Sequence, residues 1–82
     1  MYRVRVFVTL KESILDPAGN AVQGSLQNLG FDEVREVRVG KVIELNLESV
    51  ENVEARVKEM CEAVLVNMVM EAYRFEIEEI LT

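Results

Sequence analysis

The chain has no histidine and no tryptophan, a single cysteine and a single proline. Lacking histidine, it lacks the side chain that most often transfers protons near neutral pH and most often ligates metals. One cysteine, Cys61, excludes an internal disulfide and agrees with a reducing compartment. Glycine is also sparse, at positions 19, 24, 30 and 40 only, so neither a phosphate-cradling loop nor a dinucleotide fingerprint is present. Positive charge is in the minority, nine basic against fifteen acidic residues, which leaves a net charge of −6. That sign argues against nucleic acid and anionic membranes as partners. The longest apolar run, Ala63 to Met70 with Asn67 inside it, falls far short of the roughly 20 residues of a membrane-spanning helix. The opening residues alternate apolar with polar and contain no apolar block of the secretory kind.

What is present is the mix of a folded domain: 82 residues, half of them hydrophobic and 29% charged. No stretch reads as a linker, so residues 1–82 are expected to form one domain. A chain this short buries only roughly 60–65% of its unfolded surface, which makes stabilisation by association expected.

Tyr2, Val4, Val6, Val8 and Leu10 are apolar at every second position, the period of a half-buried strand. Asp16-Pro17 marks a helix start, since Asp can accept a free backbone N–H and proline suits the first helical position. Leu29-Gly30 closes that helix, whose inward stripe is expected to be Ala18, Val22, Leu26 and Leu29. Val37 and Val39 before Gly40-Lys41, and Ile43, Leu45 and Leu47 after it, read as a hairpin. Ser49 is the expected cap of a second helix, with Val50, Val53, Val57, Met60, Cys61, Val64, Leu65 and Met68 on one face. Tyr73, Phe75 and Ile77 alternate as a last strand. The order β-α-β-β-α-β predicts an α+β, ferredoxin-like domain, with a mainly antiparallel sheet and both helices on one face.

No reaction centre emerges from these elements. Cys61 falls on the apolar stripe, where a thiolate is poorly solvated and no base is at hand. Ser13, Ser25 and Ser49 also lack a base partner and read as turn, surface and cap. The carboxylates Glu71, Glu76, Glu78 and Glu79 read as a solvated acidic edge, and Met60, Met68 and Met70 as core filler. Catalytic, cofactor-binding and metal-binding residues are therefore all expected to be absent. The sheet's other face is projected to carry Arg3, Arg5, Phe7, Glu36, Arg38, Glu44, Asn46, Arg74, Glu76 and Glu78. Phe7 among those charges, and Lys41 at a hairpin tip, are candidate contacts for another protein or a second copy.

Particular strings carry more information than their periodicity. Val8-Thr9-Leu10-Lys11-Glu12-Ser13, Leu15-Asp16-Pro17-Ala18-Gly19 and Val37-Arg38-Val39-Gly40-Lys41 resemble the PurS family. Glu44-Leu45, Val57 to Glu62, and Glu71-Ala72-Tyr73-Arg74-Phe75-Glu76 continue the resemblance in order, with departures at Met68, Met70 and Ala72. The resemblance implies the small subunit of phosphoribosylformylglycinamidine synthase, a purine-biosynthesis ligase that consumes ATP and glutamine. It implies a cytoplasmic, homodimeric or larger accessory chain that docks a glutaminase subunit and a large synthase subunit, with ATP and Mg used by the latter. By family pattern Asp16, Pro17, Gly19, Arg38, Gly40 and Lys41 are interface candidates, with a local reading as helix start and turn beside it.

Other classes fit less well. An acylphosphatase-type enzyme needs an arginine and a phosphate-cradling backbone after the first strand, whereas Lys11 to Asp16 holds neither glycine nor arginine. RNA binding through the sheet wants several exposed aromatics and positive charge. The alternative left open by the fold is a dimeric module that binds a small regulatory molecule between copies.

Overall fold

The computed structural model describes residues 1–80; Leu81 and Thr82 of the expected 1–82 domain lie outside the described residues. Strand β1 spans Tyr2–Leu10, helix α1 Pro17–Asn28, strand β2 Lys41–Leu47, helix α2 Val53–Met60 and strand β3 Glu71–Glu79. A π-helical turn, Cys61–Leu65, continues α2. The α+β class and the antiparallel sheet are as expected. The strand order is β2-β1-β3, with Val6 opposite Ile43 on one side and Phe75 on the other.

The period of two in β1 sends Val4, Val6 and Val8 to one face, where they are almost fully buried against Val57, Cys61 and Val66. Ile43, Leu45, Leu47, Phe75 and Ile77 extend this core, half-buried, onto the flanking strands. At roughly 25 cal/mol per Å² of apolar surface, such a small core gives a modest margin.

Three expectations are corrected. The hairpin does not close: the described residues form three strands, and Val37 and Val39 belong to a connecting arm outside the sheet. A tight hairpin turn wants positive φ, and among the glycines only Gly30 adopts it (φ 99°). Gly40 instead passes flat against β1, where a Cβ would run into the Val8 carbonyl oxygen and lie 2.8 Å from Thr9 Cγ2. Glu36 and Arg38 accordingly do not lie on the open sheet face.

Helix α1 does not cover the sheet. Of its residues only Gly19 is buried, while Val22 and Leu29 of the expected inward stripe are 42% and 75% exposed. The α1 region projects from the sheet instead, and the molecule measures 49 × 30 × 14 Å with a radius of gyration of 16.3 Å. A compact chain of this length has a radius near 12 Å.

Helix α2 also starts and ends differently. Its first turn follows Asn52 in the left-handed region (φ 54°) without a side-chain cap, while Ser49 Oγ accepts from the N-terminal amine at 3.1 Å. The π turn, closed by the Val66 N–H on the Cys61 carbonyl at 3.0 Å, shifts the helical phase. Val64 of the expected stripe is therefore 79% exposed and Val66 is buried in its place.

Candidate docking surfaces

The two groups of candidates drawn from separate stretches of sequence meet at one junction. Pro17 opens α1 and Asp16 caps it, Oδ1 accepting the Gly19 N–H at 2.9 Å. Its other oxygen, Oδ2, accepts the Val39 N–H at 3.0 Å, so one carboxylate ties the helix to the arm. These backbone bonds, Gly19 first and Val39 second, hold the Asp16 carboxyl below its usual range against the opposing effect of burial, with the Arg38 charge assisting. Gly19 lies so close to the arm that a Cβ would run into the Val37 carbonyl oxygen. The Arg38 guanidinium donates to the Leu10 carbonyl at the end of β1 and stands 3.8 Å from Glu36. Gln23 and Gln27 donate from α1 to the carbonyls of Arg35 and Val34, both at 3.1 Å. A shallow groove of about 300 Å³ opens beside the junction, between the loop Glu12–Asp16 and Glu36, Val37 and Arg38.

Lys41 does not stand at a tip. It opens β2, and its Nζ lies 3.9 Å from Glu71 Oε2 at the start of β3. Phe7 is placed as expected on the open face, half-buried, with the Arg74 guanidinium 4.0 Å from its ring centre. Val42, opposite Phe7 on β2, is 57% exposed. Arg3 and Arg5 flank Glu44 at 3.6 and 3.4 Å, which completes a charge-balanced surface.

Nothing in these surroundings activates a nucleophile. Cys61 is fully buried, and desolvation first, then the Glu62 charge, pushes its thiol pKa up. Tyr73 donates to Glu62 at 3.2 Å, and its phenol pKa is likewise raised, chiefly by burial. Among the described residues no three Cys, Asp or Glu side chains are grouped as a metal centre needs, and no helix is long and apolar enough to cross a membrane.

Two features were missed at the level of sequence. Asn67 organises the connection into β3: its Oδ1 accepts the Val69 and Met70 N–H groups at 3.0 and 3.3 Å, and its own N–H reaches Glu71 Oε1 at 2.8 Å. Asn followed by a turn is a recognisable signal for this. The second, the double use of the Asp16 carboxylate, has no signal in the linear chain, because Val39 is far away in sequence.

Residues 3–79 match the family model described as PurS, phosphoribosylformylglycinamidine (FGAM) synthase. The chain is 51% identical over 82 residues to phosphoribosylformylglycinamidine synthase subunit PurS of Bacillus subtilis, which covers 99% of this chain and 98% of the relative. It is similar to the crystal structure of Methanocaldococcus jannaschii PurS, a subunit of formylglycinamide ribonucleotide amidotransferase, with a TM-score of 0.88, 38% identity, and 99% and 100% of the two chains covered. A chain in the structure of PurLQS from Thermotoga maritima gives 0.81 at 29% identity, covering 94% of this chain and 96% of that one. Matched along almost its whole length by the family model and by an established subunit, the chain belongs to the PurS family of FGAM synthase subunits.

Proposed function

We propose that the chain acts by position, as the non-catalytic subunit that docks the glutaminase and the ATP-dependent synthase subunits so that ammonia passes between them without entering bulk water. Ammonia released into water is protonated and diluted, so holding the two active sites together contributes as effective concentration. The synthase subunit would use ATP with Mg, and the chain itself would hold no cofactor. The setting of this pathway is the cytoplasm, and the chain works as a homodimer or larger homo-oligomer. Membership of the PurS family supports this reading, and the Thermotoga maritima PurLQS assembly supports its three-component form.

The observation that carries it in this molecule is the arm. Helix α1 and residues 29–40 project from the sheet, with Val22, Leu29, Phe31 and Val39 exposed between 40% and 75%. Large apolar side chains held out in this way suit burial against another chain. Asp16, Pro17, Gly19, Arg38 and Gly40 set the angle of the arm, and Lys41 secures its root, so substitutions there act on docking through shape. Phe7 offers a second contact on the opposite face. The test is reconstitution with the two larger subunits, comparing glutamine-driven with ammonia-driven turnover. Omitting this chain should abolish the first and spare the second; equal glutamine-driven turnover without it would refute the proposal.

A further inference from the structure

Sulfur is divided unevenly between the core and the surface of this fold. Cys61 is fully buried, and desolvation keeps it a thiol, the form that reacts slowly with peroxides. Met60 beside it is half-buried. Met68 and Met70, by contrast, are 42% and 43% exposed, with Val69 between them 80% exposed. They lie in the connection between the π turn and β3. Met1, 47% exposed, precedes β1 at the opposite end of that strand from the connection, which Lys11 touches.

The connection does not depend on its thioethers for shape. The Asn67 carbonyl accepts the Met70 and Glu71 N–H groups at 3.1 and 2.7 Å, and the Met70 carbonyl accepts the Lys11 N–H at 2.9 Å. The bonds of Asn67 Oδ1 and Glu71 Oε1 complete the turn. Neither methionine belongs to the core around Val4, Val6 and Val8. Their side chains can therefore change chemistry while the backbone beneath them stays in place.

We propose that Met68 and Met70 form a paired oxidation site, at which hydrogen peroxide turns an apolar surface polar, reversibly and without unfolding the domain. At each sulfur a lone pair attacks one peroxide oxygen, and the S–O bond forms as the O–O bond breaks. The departing hydroxide takes the proton carried on the transferred oxygen and leaves as water. Sulfur is oxidised by two electrons and the peroxide is reduced by two. The product is a polar sulfoxide, so the two flanks of Val69 pass from apolar contact surface to hydrogen-bond acceptors. A dithiol reductase of the methionine sulfoxide class reverses the change, taking the oxygen off as water and itself becoming a disulfide.

Peroxide treatment of the full chain tests this. Mass spectrometry of its peptides should show Met68 and Met70 each gaining one oxygen several-fold faster than Met60, with Cys61 unchanged. The thermal midpoint of the oxidised chain should match that of the parent. Retention on a hydrophobic-interaction column should fall, and the reductase with its dithiol should restore it. Met68→Leu combined with Met70→Leu keeps the volume and removes both sulfurs, so peroxide should then leave retention nearly unaltered although Met1 still reacts. Oxidation of Met60 as fast as of the pair, a lowered thermal midpoint, or a loss of retention undiminished in the double variant would each overturn the proposal. The peptide masses and the midpoint are read on the unaltered chain, so they decide even if the double variant does not fold. Docking to the larger subunits enters none of these measurements.

Discussion

Val39 donates its backbone N–H to Oδ2 of Asp16 at 3.0 Å, although 23 positions of chain separate them. The bond makes the start of α1 and the root of β2 one rigid unit, because the second oxygen of the same carboxylate already holds the first turn of the helix. Asp16→Asn keeps the shape but replaces one acceptor with a donor that faces an N–H. The thermal midpoint should fall by several degrees and glutamine-driven turnover should fall with it. Calorimetry checks the first, and the reconstituted assay the second.

The same carboxylate gives a pH dependence of known sign. Its folded-state pKa lies below the ordinary 3.8, so the stabilisation is fully present above that value and is lost as the pH falls through the lower folded-state value. The stability difference between the parent chain and Asp16→Asn should therefore be constant from neutral pH down to about 4. It should shrink below that, which urea titrations at a series of pH values would show.

Glycine substitutions should sort by position. At Gly19 an added methyl meets the Val37 carbonyl and Asp16 Oδ2, so Gly19→Ala should destabilise by about 1–3 kcal/mol. At Gly24, in the same helix, a methyl meets nothing within 4 Å. Gly24→Ala should stabilise by about 0.5–1 kcal/mol through helix propensity alone. Denaturant midpoints of the two variants should move in opposite directions.

On the open face, Arg74→Ala removes the cation above Phe7 and should cost about 0.5–1 kcal/mol, as expected for a partly exposed cation–π pair. If this face contacts a larger subunit, Phe7→Ala should weaken assembly well beyond its effect on the isolated chain. Sedimentation of the mixed subunits, set beside the stability of the lone chain, separates the two effects.

Cys61 should behave as packing. A thiol-specific reagent at pH 8 should label it slowly in the native chain and rapidly in urea, since burial both hides the sulfur and disfavours its thiolate. Rapid labelling of the native chain would show that α2 opens readily from the sheet.

Most of the core was legible from the sequence. Strict alternation in β1 and β3 identified Val4, Val6, Val8, Phe75 and Ile77, and helical spacing identified Val57 and Cys61. The arm was not, since a local pattern of Val37, Val39 and Gly40 is the same for a closed hairpin and an opened one. What decides between them is the fit of Gly40 on β1 and the reach of Asp16, both of which depend on residues remote in sequence. The stripe of α1 was read correctly as apolar and wrongly as inward, because periodicity marks an apolar face without showing whether the sheet lies beneath it. Val64 was misplaced for a different reason: a π turn adds a residue that 3.6-residue spacing cannot register. The interface candidates around Asp16 and Arg38 came from family resemblance, and their physical connection to one another appeared only in three dimensions.

The π turn has one more consequence. Each α-helical residue advances the chain by about 100° around the axis, and the π turn takes up one residue more than an α-helical turn would. Deleting a single residue between Cys61 and Leu65 would therefore convert it to an ordinary α-helical turn and leave Val66 in the core, whereas the same deletion earlier in α2 would put Val57 and Cys61 out of step with each other. This turn is thus the one place in the second helix where the chain can lose a residue without rotating the core-facing side chains on either side of it.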